Sequence, residues 1–135
     1  MAVVLDSDAI VGFLDGKDAL HDAADTAIRD LVRDQRLMVS VVSYAEVLTG
    51  ARLGHHDEGQ VKGFFSGLIS EVLPVDVAVA DLAAELRSRR KALRMPDALI
   101  LATAEHHAEV ELVVTGDTQA AKTPGLRCKI LHLLP

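Results

Sequence analysis

Four acidic residues stand where apolar runs begin or end: Asp6 after "VVL", Glu46 in "SYAEVLTG", Asp97 in "RMPDALILATA" and Asp117 after "LVVTG". Crowded carboxylates repel one another and resist ionising together. A chain keeps such a group mainly when a cation neutralises it. All-oxygen ligation suits Mg2+ or Mn2+, so the chemistry on offer is that of a hard divalent ion. Each acid also has a plainer role. Pro96 and Asp97 make a good helix start, with the acid at the positive end of the helix dipole. Ser43-Tyr-Ala-Glu46 matches the capping box S-x-x-E. Asp6 and Asp117 fit turns after strands. One acid decides nothing; the constellation argues for a site.

A site built from such distant residues needs elements that bring them together. "AVVL" (2–5) reads as a buried first strand, and "SDAIVGFLDG" as a short helix closed near Gly16. Residues 18–35 read as an amphipathic surface helix, 36–42 as a second strand and 43–53 as a helix that carries Glu46 in its first turn. After a loop over 54–59 come a helix (60–70) and a strand (71–76), whose Pro74 marks an end or an edge position. Helices over 77–93 and 96–110 follow. Strands over 111–117 and 128–134 close the chain. Alternating strands and helices predict an α/β fold, a mostly parallel central sheet flanked by helices. Ligands of open sheets of this kind sit at the carboxyl ends of the strands, where Asp6 and Asp117 fall.

The 135 residues fit one domain over 1–135, and half of them are apolar while only 3% are aromatic. The core must therefore be Val, Leu, Ile and Ala. No run approaches eighteen apolar residues, so no membrane span is expected, and "MAVVLDSDAI" lacks the basic start of a signal peptide. Cys128 is the one cysteine, which fits a reducing cytoplasm. The net charge of −6 argues against a nucleic-acid partner at first sight. Withdrawing four acids into a metal site removes most of that excess, however. The basic residues also cluster: Arg87, Arg90 or Lys91, and Arg94 make a stripe at helical spacing leading toward Asp97. That stripe could hold RNA phosphates, or it could be a solvated helix face. His55-His56 and His106-His107 are neighbours rather than i, i+4 pairs, so neither is a chelating pair.

"VVLDSDAIVGFLDG", "VSVVSYAEVLTGA", "RMPDALILATA" and "VVTGDTQAAKTPGLRCKIL" resemble, in order and over nearly the whole chain, the four motifs of the PIN domain ribonucleases. The resemblance is closer still to the VapC toxins of VapBC toxin–antitoxin systems. It implies a PIN-like fold and a Mg2+- or Mn2+-dependent endoribonuclease, with Asp6, Glu46, Asp97 and Asp117 as metal ligands. Thr115 and Ser7 would orient carboxylates or water. It further implies a VapB-like antitoxin, a tRNA or rRNA substrate, and a homodimer. Two departures stand out. Asp8 occupies a position where the family often has a small hydroxyl or amide residue, and could be an extra ligand or a helix-start acid. "TQAA" replaces the usual aromatic and acid after the last motif.

Two rival functions have sequence support. "LDSDA" offers the D-x-D pair of haloacid-dehalogenase-like phosphohydrolases, with Asp6 as nucleophile and Asp8 as acid, but Ile10 stands where a hydroxyl residue is usual and Glu46 is left without a role. A non-catalytic PIN-fold binding module is the other, against which the intact set of acids argues. A third possibility, a phosphoacceptor receiver domain, has less support: it would use Asp76, at the end of a strand that Pro74 makes a poor central one.

Overall fold

The computed structural model describes residues 1–135. Five strands form one parallel sheet: β1 (Ala2–Leu5), β2 (Arg36–Ser40), β3 (Ile69–Leu73), β4 (Val110–Thr115) and β5 (Lys129–His132), in the order β3-β2-β1-β4-β5. The connecting helices are α1 (Ser7–Leu14), α2 (His21–Leu31), α3 (Val41–Arg52), α4 (Glu58–Leu68), α5 (Val77–Arg89), α6 (Met95–His106) and the short α7 (Thr118–Ala121). The α/β class, the parallel sheet and the helical flanks follow the expectation. No helix is long and apolar enough to cross a membrane.

Side chains alternate across a strand, so β1 feeds two cores. Val3 and Leu5 face a cluster with Ile10, Ile28, Val47 and Phe64, supplied by α1–α4. Ala2 and Val4 face the opposite cluster, with Leu86, Ile100 and Leu101 from α5 and α6. Phe64 and Phe65 are both core residues. The strand order reverses at β1, whose neighbours are β2 and β4. A crevice must open where connections leave a parallel sheet in opposite directions. Here that place is just beyond Leu5 and Thr115.

Several boundaries differ from the sequence reading, each for a physical reason. β2 stops at Ser40, whose Oγ accepts from Val42 N at 3.2 Å and caps α3. The capping box on Ser43 therefore does not form: Ser43 is inside the helix, fully buried, with no hydrogen-bond partner for its hydroxyl. Glu46 lies in the second turn, not the first. The helix expected over 77–93 ends at Arg89, because Leu93 is drawn into the core and the Arg87 guanidinium grips the returning chain at Leu93 O (2.7 Å) and Lys91 O (3.4 Å). β3 occupies 69–73 at the sheet edge, so Pro74 follows it without costing a ladder bond. Asp76 then caps α5, accepting from Val79 N at 2.9 Å, far from a phosphoacceptor's place at a central strand end. The four-residue α7, capped by Asp117, falls within a stretch assigned no element from sequence.

Gly116 links β4 to α7 at a point of close approach. A Cβ there would run into Leu20 Cδ1 and stand 3.1 Å from Asp8 Oδ2. Gly116→Ala should therefore lower stability by about 1 kcal/mol, because the flexible tip of Leu20 can turn aside at modest cost. A thermal melt checks this; an unchanged melting temperature would mean the packing at Leu20 is loose.

Candidate metal centre

Beyond the ends of β1 and β4 lies a small cavity of about 100 Å³ lined by Asp6, Ser7, Asp8, Glu46, Arg94, Asp97 and Asp117, with no apolar residue among them. Each acid arrives by a different route. Asp6 follows β1 and caps α1: Oδ1 accepts from Ser7 N at 2.7 Å, and Oδ2 accepts from Thr115 Oγ1 at 2.6 Å. Thr115 is buried at the end of β4, and its Oγ1 also accepts from Asp117 N at 3.0 Å. Asp117 caps α7 through Ala120 N at 2.8 Å. Glu46 reaches over from α3 and accepts from Ser7 Oγ at 2.6 Å. Asp97, in the first turn of α6, is 6% exposed and pairs with Arg94 Nε at 3.1 Å. Asp8, in the first turn of α1, accepts from Gly116 N at 2.9 Å and lines the same cleft.

The structure thus brings Asp6, Glu46, Asp97, Asp117 and Thr115 together. It separates the proposed basic stripe. Arg87 is tied to the 91–93 backbone, and Arg90 Nε donates to Gln119 O at 3.1 Å. Lys91 is exposed, and only Arg94 lines the cleft. The histidines lie elsewhere; His21 Nδ1 meets Gly12 O at 2.8 Å and braces the α1–α2 turn. Two features escaped the sequence reading: the Ser7–Glu46 link and the Arg94–Asp97 pair. The i, i+3 spacing of Arg94 and Asp97 across a helix start was the signal for the second.

Burial is the main force on the acids. It pushes the Asp6 carboxyl up to about 7, aided by the charge of Asp8 and opposed by the Thr115 and Ser7 hydrogen bonds. Burial likewise raises Asp8 against the Gly116 N–H, with Asp117 and Asp97 adding repulsion. Asp97 is raised by burial despite Arg94, with Asp117 and Glu46 contributing. All three shifts favour the neutral acid, chiefly because burial strips water from the charged form, with repulsion among the neighbouring carboxylates adding to it.

A group whose folded-state pKa is raised stabilises the fold below its unfolded pKa and loses that contribution as pH rises through the folded value. Metal-free protein should accordingly lose melting temperature between about pH 4 and pH 7 as Asp6 ionises, by on the order of 5 °C. Scanning fluorimetry in EDTA across that range reads it directly. Mn2+ at pH 7.5 should restore the loss, and a melting temperature that climbs steadily with pH in EDTA would contradict the shift.

The donor set suits a hard divalent ion: five carboxylates and a hydroxyl, no thiol and no imidazole. Glu46 Oε2, Asp97 Oδ1 and Asp117 Oδ1 accept no protein hydrogen bond. As placed, no three of the acids converge closely enough to enclose one ion. The arrangement fits ligation partly through water, the habit of Mg2+, better than a closed cage.

Fold and cleft together define an α/β domain with an acidic cleft at the switch point of a parallel sheet. The chain belongs to the PIN domain family, whose model matches residues 3–126. Membership removes the haloacid-dehalogenase-like alternative. No curated protein matches the chain. Among solved structures, VapBC-5 of Mycobacterium tuberculosis, described as a member of the VapBC family of toxin–antitoxin systems, is similar at 25% identity, with 98% of each chain covered and a TM-score of 0.67. VapBC2 from Rickettsia felis, bound to a promoter DNA fragment, shares 18% identity over 98% of this chain and 99% of that one, with a TM-score of 0.73. VapC20 of Mycobacterium tuberculosis, a sarcin–ricin loop cleaving toxin, matches at 15% identity, 94% and 98% coverage and a TM-score of 0.68.

Proposed function

We propose that the chain is a metal-dependent endoribonuclease and the toxin of a type II toxin–antitoxin pair. The observation that carries this reading is the cavity lined only by polar side chains, five of them acids, in a member of the PIN domain family. The VapBC neighbours support the toxin role, and the RNA-cleaving one among them supports RNA as substrate. Asp6, Glu46, Asp97 and Asp117 would hold Mg2+ or Mn2+. The bound ion would acidify a water and offset charge on the scissile phosphate.

The protein's own groups have definite tasks. Thr115 holds Asp6 by one oxygen and Asp117 by its backbone N–H, which fixes two acids from opposite chain ends in one register. Ser7 steadies Glu46. The N-terminus of α6 presents its dipole to the cleft and favours an approaching phosphate. Exposed Lys91 and the outer nitrogens of Arg94, whose Nε holds Asp97, are the parts of the stripe open to RNA, whereas Arg87 and Arg90 have their guanidinium groups engaged on backbone carbonyls. In the reaction, water adds to phosphorus, a P–O ester bond breaks, and the leaving sugar oxygen takes up a proton.

An antitoxin would lie along the α1–α4 face. A cavity of about 540 Å³ there is lined by Phe13, Leu14, Phe64 and Leu68 with Asp25 and Arg29. It adjoins a polar one of about 500 Å³ lined by Asp15, Lys17, His55, His56 and Asp57. The 54–59 loop lines this polar cavity through His55, His56 and Asp57. Val41 and Leu53, exposed at the two ends of α3, are apolar residues that a second copy could cover in a homodimer. Incubating the chain with single-stranded RNA in EDTA, Mg2+ and Mn2+ tests the enzyme reading. Cleavage with either metal and none in EDTA is expected. RNA left intact under all three conditions would leave a non-catalytic binding module as the better account.

A further inference from the structure

Arg94 occupies a place that helix energetics disfavour. It is the N-cap of α6, with extended backbone and no capping hydrogen bond from its side chain. Ser, Asp or Asn at that position would satisfy an orphan N–H, worth about 1 kcal/mol. A cation there also meets the positive end of the helix dipole. The side chain is 73% exposed, yet it folds inward, holding Asp97 through Nε at 3.1 Å. It is the one cation among five acids lining the cavity. Arg87 and Arg90 differ: their guanidinium groups are spent on backbone carbonyls, whereas the Arg94 side chain makes no protein hydrogen bond besides the one to Asp97.

We propose that Arg94 is a built-in counter-cation of the cleft, which competes with the divalent ion for Asp97 and turns onto a substrate phosphate when that ion arrives. The inference rests on the metal-site reading of the previous section and adds to it a competition within the chain. A guanidinium and a divalent ion cannot both take the full charge of Asp97. Released by the ion, Arg94 hangs at the cavity rim on a flexible stem, next to the N-terminus of α6. An RNA phosphate is the anion both would favour. The ligand-free cleft is then partly neutralised, and the arginine is spent on RNA only after metal has entered.

The test is a Mn2+ titration by calorimetry, without RNA, on the parent chain, Arg94→Gln, Arg94→Lys and Asp97→Asn. Arg94→Gln should bind Mn2+ about tenfold more tightly than the parent, because one competing charge is gone. Arg94→Lys, which keeps the charge, should return most of the way to the parent value. Fluorescence anisotropy with a single-stranded RNA oligonucleotide in Ca2+ should show Arg94→Gln binding RNA more weakly, with a shallower salt dependence by roughly one phosphate contact. Unchanged or weaker Mn2+ binding by Arg94→Gln, in a parent chain that binds Mn2+ and cuts RNA, overturns the competition while the nuclease reading stands. Tighter Mn2+ binding by Arg94→Gln in a chain that cuts no RNA supports the competition while the nuclease reading falls. A parent chain that does not bind Mn2+ at all overturns both.

Discussion

Asp97→Asn protein should fold, melt higher than the parent in EDTA at neutral pH, and cut RNA at least roughly a hundredfold more slowly. The stability gain comes from removing a buried charge: Asp97 is 6% exposed, and burial raises its carboxyl. Losing the ion pair to Arg94 offsets little, since that partner is 73% exposed and screened by water. Asparagine tolerates the first helical turn, so α6 should start where it does now. If Asp97 were only a helix-start acid, the same change would cost at most about 1 kcal/mol and leave cleavage intact. Melting temperature and cleavage measured on one preparation separate the two. Full cleavage by well-folded Asp97→Asn would return the residue to a structural role.

Leu101→Ala should be the most damaging change to the fold among those considered. Leu101 is 2% exposed and lies in the core that joins α6 to β1, β2 and α5. Truncation of a buried leucine costs about 2–5 kcal/mol, which for a chain of this size lowers the melting temperature by on the order of 10 °C. Activity should fall as well, because α6 carries Asp97 into the cleft and Leu101 sits one turn behind it. Circular dichroism melts and cleavage at a temperature well below the new midpoint check both effects. A loss of stability under 1 kcal/mol would mean the core relaxes around the gap.

The acids that sequence alone could place are those whose position follows from the strand ends. "AVVL" and "ELVVTGD" read as buried strands, and a parallel sheet then dictates that Asp6 and Asp117 emerge on one edge. Pro96 fixed the start of α6, and so the place of Asp97. Glu46 was placed in the right neighbourhood by the wrong device. Ser40 rather than Ser43 caps α3, and nothing local distinguishes two serines three residues apart. The helix expected to carry the arginine stripe ends early, at Arg89: "ELRSRRKAL" favours helix, and propensity says nothing of where the core needs a leucine. Leu93 is fully buried, the chain leaves the helix to deliver it, and Arg87 closes the turn behind it. Arg94 then lies across the mouth of the cleft, a contact set by the fold of that turn.

A crystal grown with Mn2+ and measured at an energy where manganese scatters anomalously would locate the ion itself. An anomalous peak should lie in the cavity beside Asp6 and Asp97, with Arg94 turned away from Asp97. Density for Mn2+ only elsewhere, at His55 and His56 for example, with Arg94 still paired to Asp97, would contradict the metal-site reading.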